Sequence, residues 1–87
     1  MSNYRILISS RAQRDFKKLS ADARSKVTAS ILSLETTPRP PQFKPLIGRR
    51  IAQFRLRIGD YRVLYDVYEE DKVVFVLRIG HRREIYR

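Results

Sequence analysis

The sequence has no cysteine and no tryptophan, one histidine, one methionine and three glycines. Without cysteine there is no disulfide framework, no thiolate metal site and no Cys nucleophile. A single histidine among scattered carboxylates argues against a His-based zinc centre, so neither metal nor cofactor is expected. No apolar run approaches the roughly 18–20 residues that a membrane helix needs. The N-terminal MSNYRILISS lacks the apolar core and cleavage site of a signal peptide. A cytoplasmic location without a membrane partner is the default expectation. Acidic charge is scarce as well: 9 Asp and Glu stand against 19 Lys and Arg, a formal net charge of +10.

What is present suits one small domain over residues 1–87. Hydrophobic residues make up 43% of the chain, enough for a modest core. Folding at this size buries only about 60–65% of the unfolded surface, so stability is thin. The basic charge is not a tail: residues 1–43 and 44–87 each carry a surplus of five. A field of this strength attracts polyanions, whether nucleic acid, an anionic membrane or an acidic protein. Arg outnumbers Lys by 14 to 5. Its planar fork grips phosphate with two hydrogen bonds and stacks on bases, which favours nucleic acid. The alternative is a basic surface that serves solubility alone.

Patterning predicts a first strand over Tyr4–Ile8. Ser9 or Ser10 can cap a helix with Ala12, Phe16 and Leu19 on one face. Ser20 is a second cap, with Asp22 in the first turn, followed by Ala23, Val27, Ile31 and Leu34 at helical spacing. Thr36-Thr37-Pro38 ends that helix, because a proline disfavours helical geometry at the residue before it. The two helices form a hairpin with one buried stripe. Residues 37–45, TPRPPQFKP, hold all four prolines and read as a stiff connector. Alternation of period two follows. In IAQFRLRI, Ala52, Phe54, Leu56 and Ile58 point one way and Gln53, Arg55 and Arg57 the other. Gly59-Asp60 is a tight turn. In YRVLYDVY, Tyr61, Val63, Tyr65 and Val67 share a face opposite Arg62, Leu64, Asp66 and Tyr68. Glu69-Glu70-Asp71 turn the chain into KVVFVLRI, whose apolar run marks a central strand. Gly80 breaks that strand, and HRREIYR closes the chain. The order is β-α-α-β-β-β, an α+β domain with the helical hairpin packed on a mostly antiparallel, four-stranded twisted sheet.

With the helices on the apolar face, the opposite face receives Arg55, Arg57 and Arg62, and the strand ends bring Arg78, Arg82 and Arg83 nearby. Guanidinium groups gathered in this way repel one another unless an anion sits among them or solvent screens them. Ordinary outward-facing strand arginines are the alternative, less comfortable for Arg62 and Arg78 in otherwise buried strands. No GxSxG, HExxH or phosphate loop is present. Asp15 and Asp22 on helices, and Glu69, Glu70 and Asp71 in one turn, do not converge as a metal cage. Ribonuclease chemistry needs neither metal nor protein nucleophile, because the RNA supplies its own 2′-OH. The protein must align that group, neutralise the transition state and protonate the leaving 5′ oxygen, and arginines suit the second task. Tyr86, His81 and an Arg are the available proton donors. Tyr86 can stack on an exposed base or simply cover the last apolar edge.

FKPLIG, FRLRIGDYRVLYDV and FVLRIGHRREIYR together resemble, in order and spacing over nearly the whole chain, the RelE toxins of the RelE/ParE superfamily. The resemblance implies a microbial-ribonuclease-like fold and the toxin component of a type II toxin–antitoxin pair. It implies ribosome-dependent cleavage of mRNA in the A site with the 2′-OH as nucleophile. It also implies a cognate, RelB-like antitoxin, acidic or amphipathic, that blocks the site and binds operator DNA jointly with the toxin.

Carried over by position, Arg62 of GDYR matches the arginine that stabilises phosphate charge. Arg82 matches the arginine of transition-state stabilisation or leaving-group protonation, and Tyr86 the tyrosine that orients the mRNA base. Arg55 and Arg57 occupy positions where other members carry lysine. Arginine stays charged, so Arg57 is expected to lower the pKa of the 2′-OH rather than act as the base. His81 is a possible substitute base or a plain exposed histidine. Arg57, Arg62, Arg82 and Tyr86 are therefore the expected catalytic set, and Lys44, Arg55, Arg78, His81 and Arg83 the expected RNA contacts. With Arg87 the last residue here, the C-terminal helix that some members carry is not expected. The competing expectations are a ParE-like, non-enzymatic toxin directed at DNA gyrase and a plain basic binding module. The arginine set with Tyr86 favours RNA cleavage.

Overall fold

The computed structural model describes residues 3–38, 43–45 and 52–85, with backbone alone for 43–45. The elements run β1 (Arg5–Ile8), α1 (Ser10–Lys17), α2 (Ala21–Ser33), β2 (Phe43–Pro45), β3 (Phe54–Ile58), β4 (Tyr61–Tyr68) and β5 (Val73–His81). Both helices begin as the serines dictate. Ser9 Oγ accepts from the Ala12 N–H at 3.0 Å, and Ser20 Oγ accepts from the Ala23 N–H at 3.2 Å. Each side chain satisfies a donor that the first turn leaves without an intrahelical partner. No helix among the described residues is long and apolar enough to cross a membrane.

The sheet order is β1-β5-β4-β3-β2. β1 pairs in parallel with β5, and every other pair is antiparallel. The expected four-stranded sheet is therefore present as β1-β5-β4-β3, with β5 central. The short β2 extends it at the β3 edge. That strand comes from the stretch expected to be connector only. Pro45 has no N–H to donate, and the terminal position of β2 in the sheet tolerates this.

Ala12 of α1, Val27 and Ile31 of α2 and Leu34 at its C-cap bury against Leu56, Val63, Tyr65, Val67, Val74, Val76 and Ile79 of the sheet. The alternation predicted for β4 holds: Val63, Tyr65 and Val67 face the helices, while Leu64 joins Ala52, Ile85 and Leu77 in a second cluster. Ala52 thus departs from the face expected for it. It precedes the strand, and the bend at Gln53 breaks the alternation. That bend is fixed because the Gln53 N–H donates to Asp66 Oδ1 at 2.7 Å and its Oε1 accepts from the Val67 N–H at 3.1 Å.

Two glycines shape the functional end of the sheet. Gly59 has φ +58°, in the left-handed region open to glycine, and makes the two-residue β3–β4 turn. Gly80 was expected to break β5, but the strand continues through it to His81, with Gly80 in register with Arg62. After His81 the chain folds into a helical turn in which Glu84 and Ile85 donate to the His81 carbonyl. Ile85 returns over the strand, and a Cβ on Gly80 would meet Ile85 Cδ1 at 3.2 Å. The missing side chain makes room for this closing turn rather than ending the strand.

Candidate active site on the open face of the sheet

Strand register brings the predicted arginines together. Arg57 of β3 lies directly opposite Arg62 of β4, and Arg62 lies opposite Gly80 of β5. Cross-strand partners share a face, so Arg57 and Arg62 stand side by side on the face turned from the helices. Arg82 follows two residues beyond Gly80. Its N–H donates to the Asp60 carbonyl at 2.8 Å, and its Nε lies 3.9 Å from Asp60 Oδ1. The β3–β4 turn therefore holds Arg82 at the same end of the sheet. Three arginines from three strands or strand ends thus lie at one end of the sheet.

Their settings differ. Arg57 is exposed, and Arg82 keeps half its side-chain surface in water. Arg62 is only 7% exposed. Its Nη1 donates to the carbonyls of Gly59 at 2.8 Å and Tyr61 at 2.9 Å, so the tight turn fixes the orientation of this guanidinium. A charge held in this way needs little reorganisation to meet a developing anion. Arg55 lies one row further along, between Lys44 and Leu64. Its Nε is buried and has no hydrogen-bond partner among the described residues.

Two expected RNA contacts sit differently. Arg78, opposite Leu64, turns to α1, where its Nε donates to Asp15 Oδ2 at 2.8 Å. His81 packs edge-on against Tyr61, with ring centroids 5.8 Å apart. Its Nδ1 accepts from the Arg83 N–H at 3.1 Å. A backbone N–H can only donate, so Nδ1 carries a lone pair and the neutral ring holds its proton on Nε2. In this tautomer Nε2 presents a donor and the Nδ1 lone pair faces the Arg83 N–H. The Arg83 side chain is exposed. Tyr86 and the Lys44 side chain lie outside the described residues.

Sequence reasoning missed two acids beside the site. Asp60 stands out only as a turn residue after Gly59, yet its carbonyl and carboxylate both meet Arg82. Asp15 is 8% exposed and accepts from Arg78 and from the Ile79 N–H across more than sixty residues of chain, a distance that no local pattern reports.

Comparison with known proteins agrees with this architecture. Residues 6–86 match the family described as the ParE toxin of the type II toxin–antitoxin system parDE. The chain is 31% identical to toxin RelG of Mycobacterium tuberculosis, over 97% of each protein. It is 30% identical to the mRNA interferase toxin RelE of Escherichia coli K12, over 87% of this chain and 82% of that one. Among solved structures it is similar to a chain of the Mycobacterium tuberculosis RelBE2 toxin–antitoxin complex. That match has a TM-score of 0.84 at 30% identity and covers 97% of both chains. These matches establish that the chain belongs to the RelE-type toxins of the RelE/ParE family of type II toxin–antitoxin systems.

Proposed function

We propose that this toxin is a ribosome-dependent endoribonuclease that cuts mRNA in the A site without a metal, using the 2′-OH of the substrate. The observation that carries this reading is the juxtaposition of Arg57 and Arg62 across the β3–β4 ladder, with Arg82 tethered to the turn between those strands. In the reaction the 2′-OH gives up its proton to solvent water as its oxygen forms a bond to phosphorus, and the bond from phosphorus to the 5′ oxygen breaks as that oxygen takes up a proton. The products are a 2′,3′-cyclic phosphate and a 5′-hydroxyl. The added negative charge develops on the phosphoryl oxygens, where the fixed fork of Arg62 and the tethered Arg82 stabilise it. Arg57 lowers the pKa of the attacking hydroxyl. Arg82 is the candidate proton donor to the leaving oxygen, and Tyr86 orients the base. Lys44, Arg55, Arg78, His81 and Arg83 are the proposed RNA contacts, with Arg78 the weakest of them because Asp15 already engages it.

The small open basic face does not itself hold a flexible strand in line, so the ribosome supplies the alignment. Curated relatives bear the name mRNA interferase, and several similar structures are complexes with a RelB antitoxin. A cognate antitoxin, acidic or amphipathic, is the proposed partner here, with operator DNA bound only through the joint complex and the cytoplasm as the site of action. The test is translation in vitro of a defined mRNA. Codon-specific cuts that vanish in Arg62→Ala and Arg82→Ala support the proposal. The matching family description names ParE, so a gyrase-directed toxin is the second reading. Intact mRNA together with gyrase-dependent DNA breaks would favour it.

A further inference from the structure

Arg82 can act only if the end of β5 is held in place, and the sheet leaves that end half-supported. β1 pairs with β5 from Val73 to Val76 alone. Ser9 prolongs the contact by donating its N–H to the Val76 carbonyl and its Oγ–H to the Leu77 carbonyl. Beyond this point no strand among the described residues borders β5 on the β1 side, and the Ile79 N–H would face outward without a ladder partner. A buried donor left in that state is costly. Asp15 of α1 fills the gap: its Oδ2 accepts from the Ile79 N–H at 3.1 Å and from Arg78 Nε at 2.8 Å. On the opposite side the Asp60 carbonyl holds the Arg82 N–H. The segment Ile79–Arg82 is thus held on one side by the β4 ladder and the Asp60 carbonyl, and on the other by Asp15 of α1.

Resting on the ribonuclease reading above, we infer that Asp15 is a positioning residue for catalysis. It substitutes for a missing strand at the end of β5 and so fixes where Arg82 meets the scissile phosphate. Asp15 does not touch the RNA and acts through the backbone of Ile79. Its pairing with Arg78 holds the carboxylate in place and keeps that guanidinium turned toward α1.

The experiment combines amide hydrogen exchange on the purified toxin with single-turnover cleavage of ribosome-bound mRNA. Asp15→Ala is expected to speed exchange at Ile79–Arg82 while Val73–Val76 stay protected. Its cleavage rate constant is expected to fall by about 10- to 100-fold at unchanged half-saturating toxin concentration, as for a small misplacement of a reacting group. Asp15→Asn keeps an oxygen for the Ile79 N–H and recovers most of the loss. In an Arg82→Ala background the further change Asp15→Ala alters the rate by no more than about twofold, because both substitutions remove one effect. Where Asp15→Ala does not fold, Asp15→Leu fills the same space without an acceptor. Unaltered exchange at Ile79–Arg82 in the Ala or Leu variant overturns the inference, as does a loss that persists in full in the Arg82→Ala background. Wild-type toxin that cuts no mRNA would refute the ribonuclease reading and with it the catalytic role of Asp15, whereas unaltered exchange with cleavage intact would refute the role of Asp15 alone.

Discussion

At the scale of single residues, Arg62 does two things at once. It caps the carbonyls of the tight turn and presents a buried, oriented charge on the open face. Replacing it with alanine should lower single-turnover cleavage by about 10²–10³, the cost of removing one preorganised donor. The same change leaves two turn carbonyls without their donor and should lower stability by about 1–3 kcal/mol in urea unfolding. Arg62→Lys keeps the charge but not the fork, and should restore neither fully. Wild-type cleavage by the alanine variant would remove Arg62 from the mechanism. The side of β4 on which Arg62 sits was legible in the sequence, because alternation sets it opposite Val63 and Tyr65. Its burial was not, since that depends on how the Gly59-Asp60 turn folds back. The Asp15–Arg78 pair was equally hidden: Asp15 shows only helical spacing, and its partner comes 63 residues later.

At the scale of elements, the caps and turns carried most of the information. Ser9, Ser20 and Gly59-Asp60 mark element boundaries through short-range chemistry, and the structure uses each of them so. Gly80 misled because a glycine in a strand signals either an end or a close approach, and only the returning Ile85 decides between them. The strand β2 was obscured by Pro45 and the three prolines before it. The two glycines predict opposite phenotypes. Gly59→Ala forces an L side chain into the left-handed region and should destabilise the fold by about 1–2 kcal/mol, seen as a lower thermal midpoint. Gly80→Ala presses on the end of the flexible Ile85 side chain, which can yield by a few tenths of an ångström. Its main effect should be a displaced 81–85 turn, with cleavage falling more than stability. Equal, large losses of stability in both variants would contradict this division.

At the scale of the whole molecule, the +10 charge sets how the toxin meets its partners. Binding of an acidic antitoxin should weaken as salt rises from about 50 to 500 mM, because screening shortens the reach of surface charge. Titration calorimetry at several ionic strengths measures this, and an affinity indifferent to salt would point to a mainly apolar interface. The same charge offers little selectivity, so naked RNA should bind but be cut slowly. The central claim is that Arg57, Arg62 and Arg82 act on one phosphate as a unit. Single-turnover cleavage of ribosome-bound mRNA by the three single alanine variants and the triple variant tests it most directly. Groups acting as a unit are strongly non-additive, so the triple variant should lose little more than the worst single variant. Losses that multiply across the three positions would show three independent contacts and contradict the shared site.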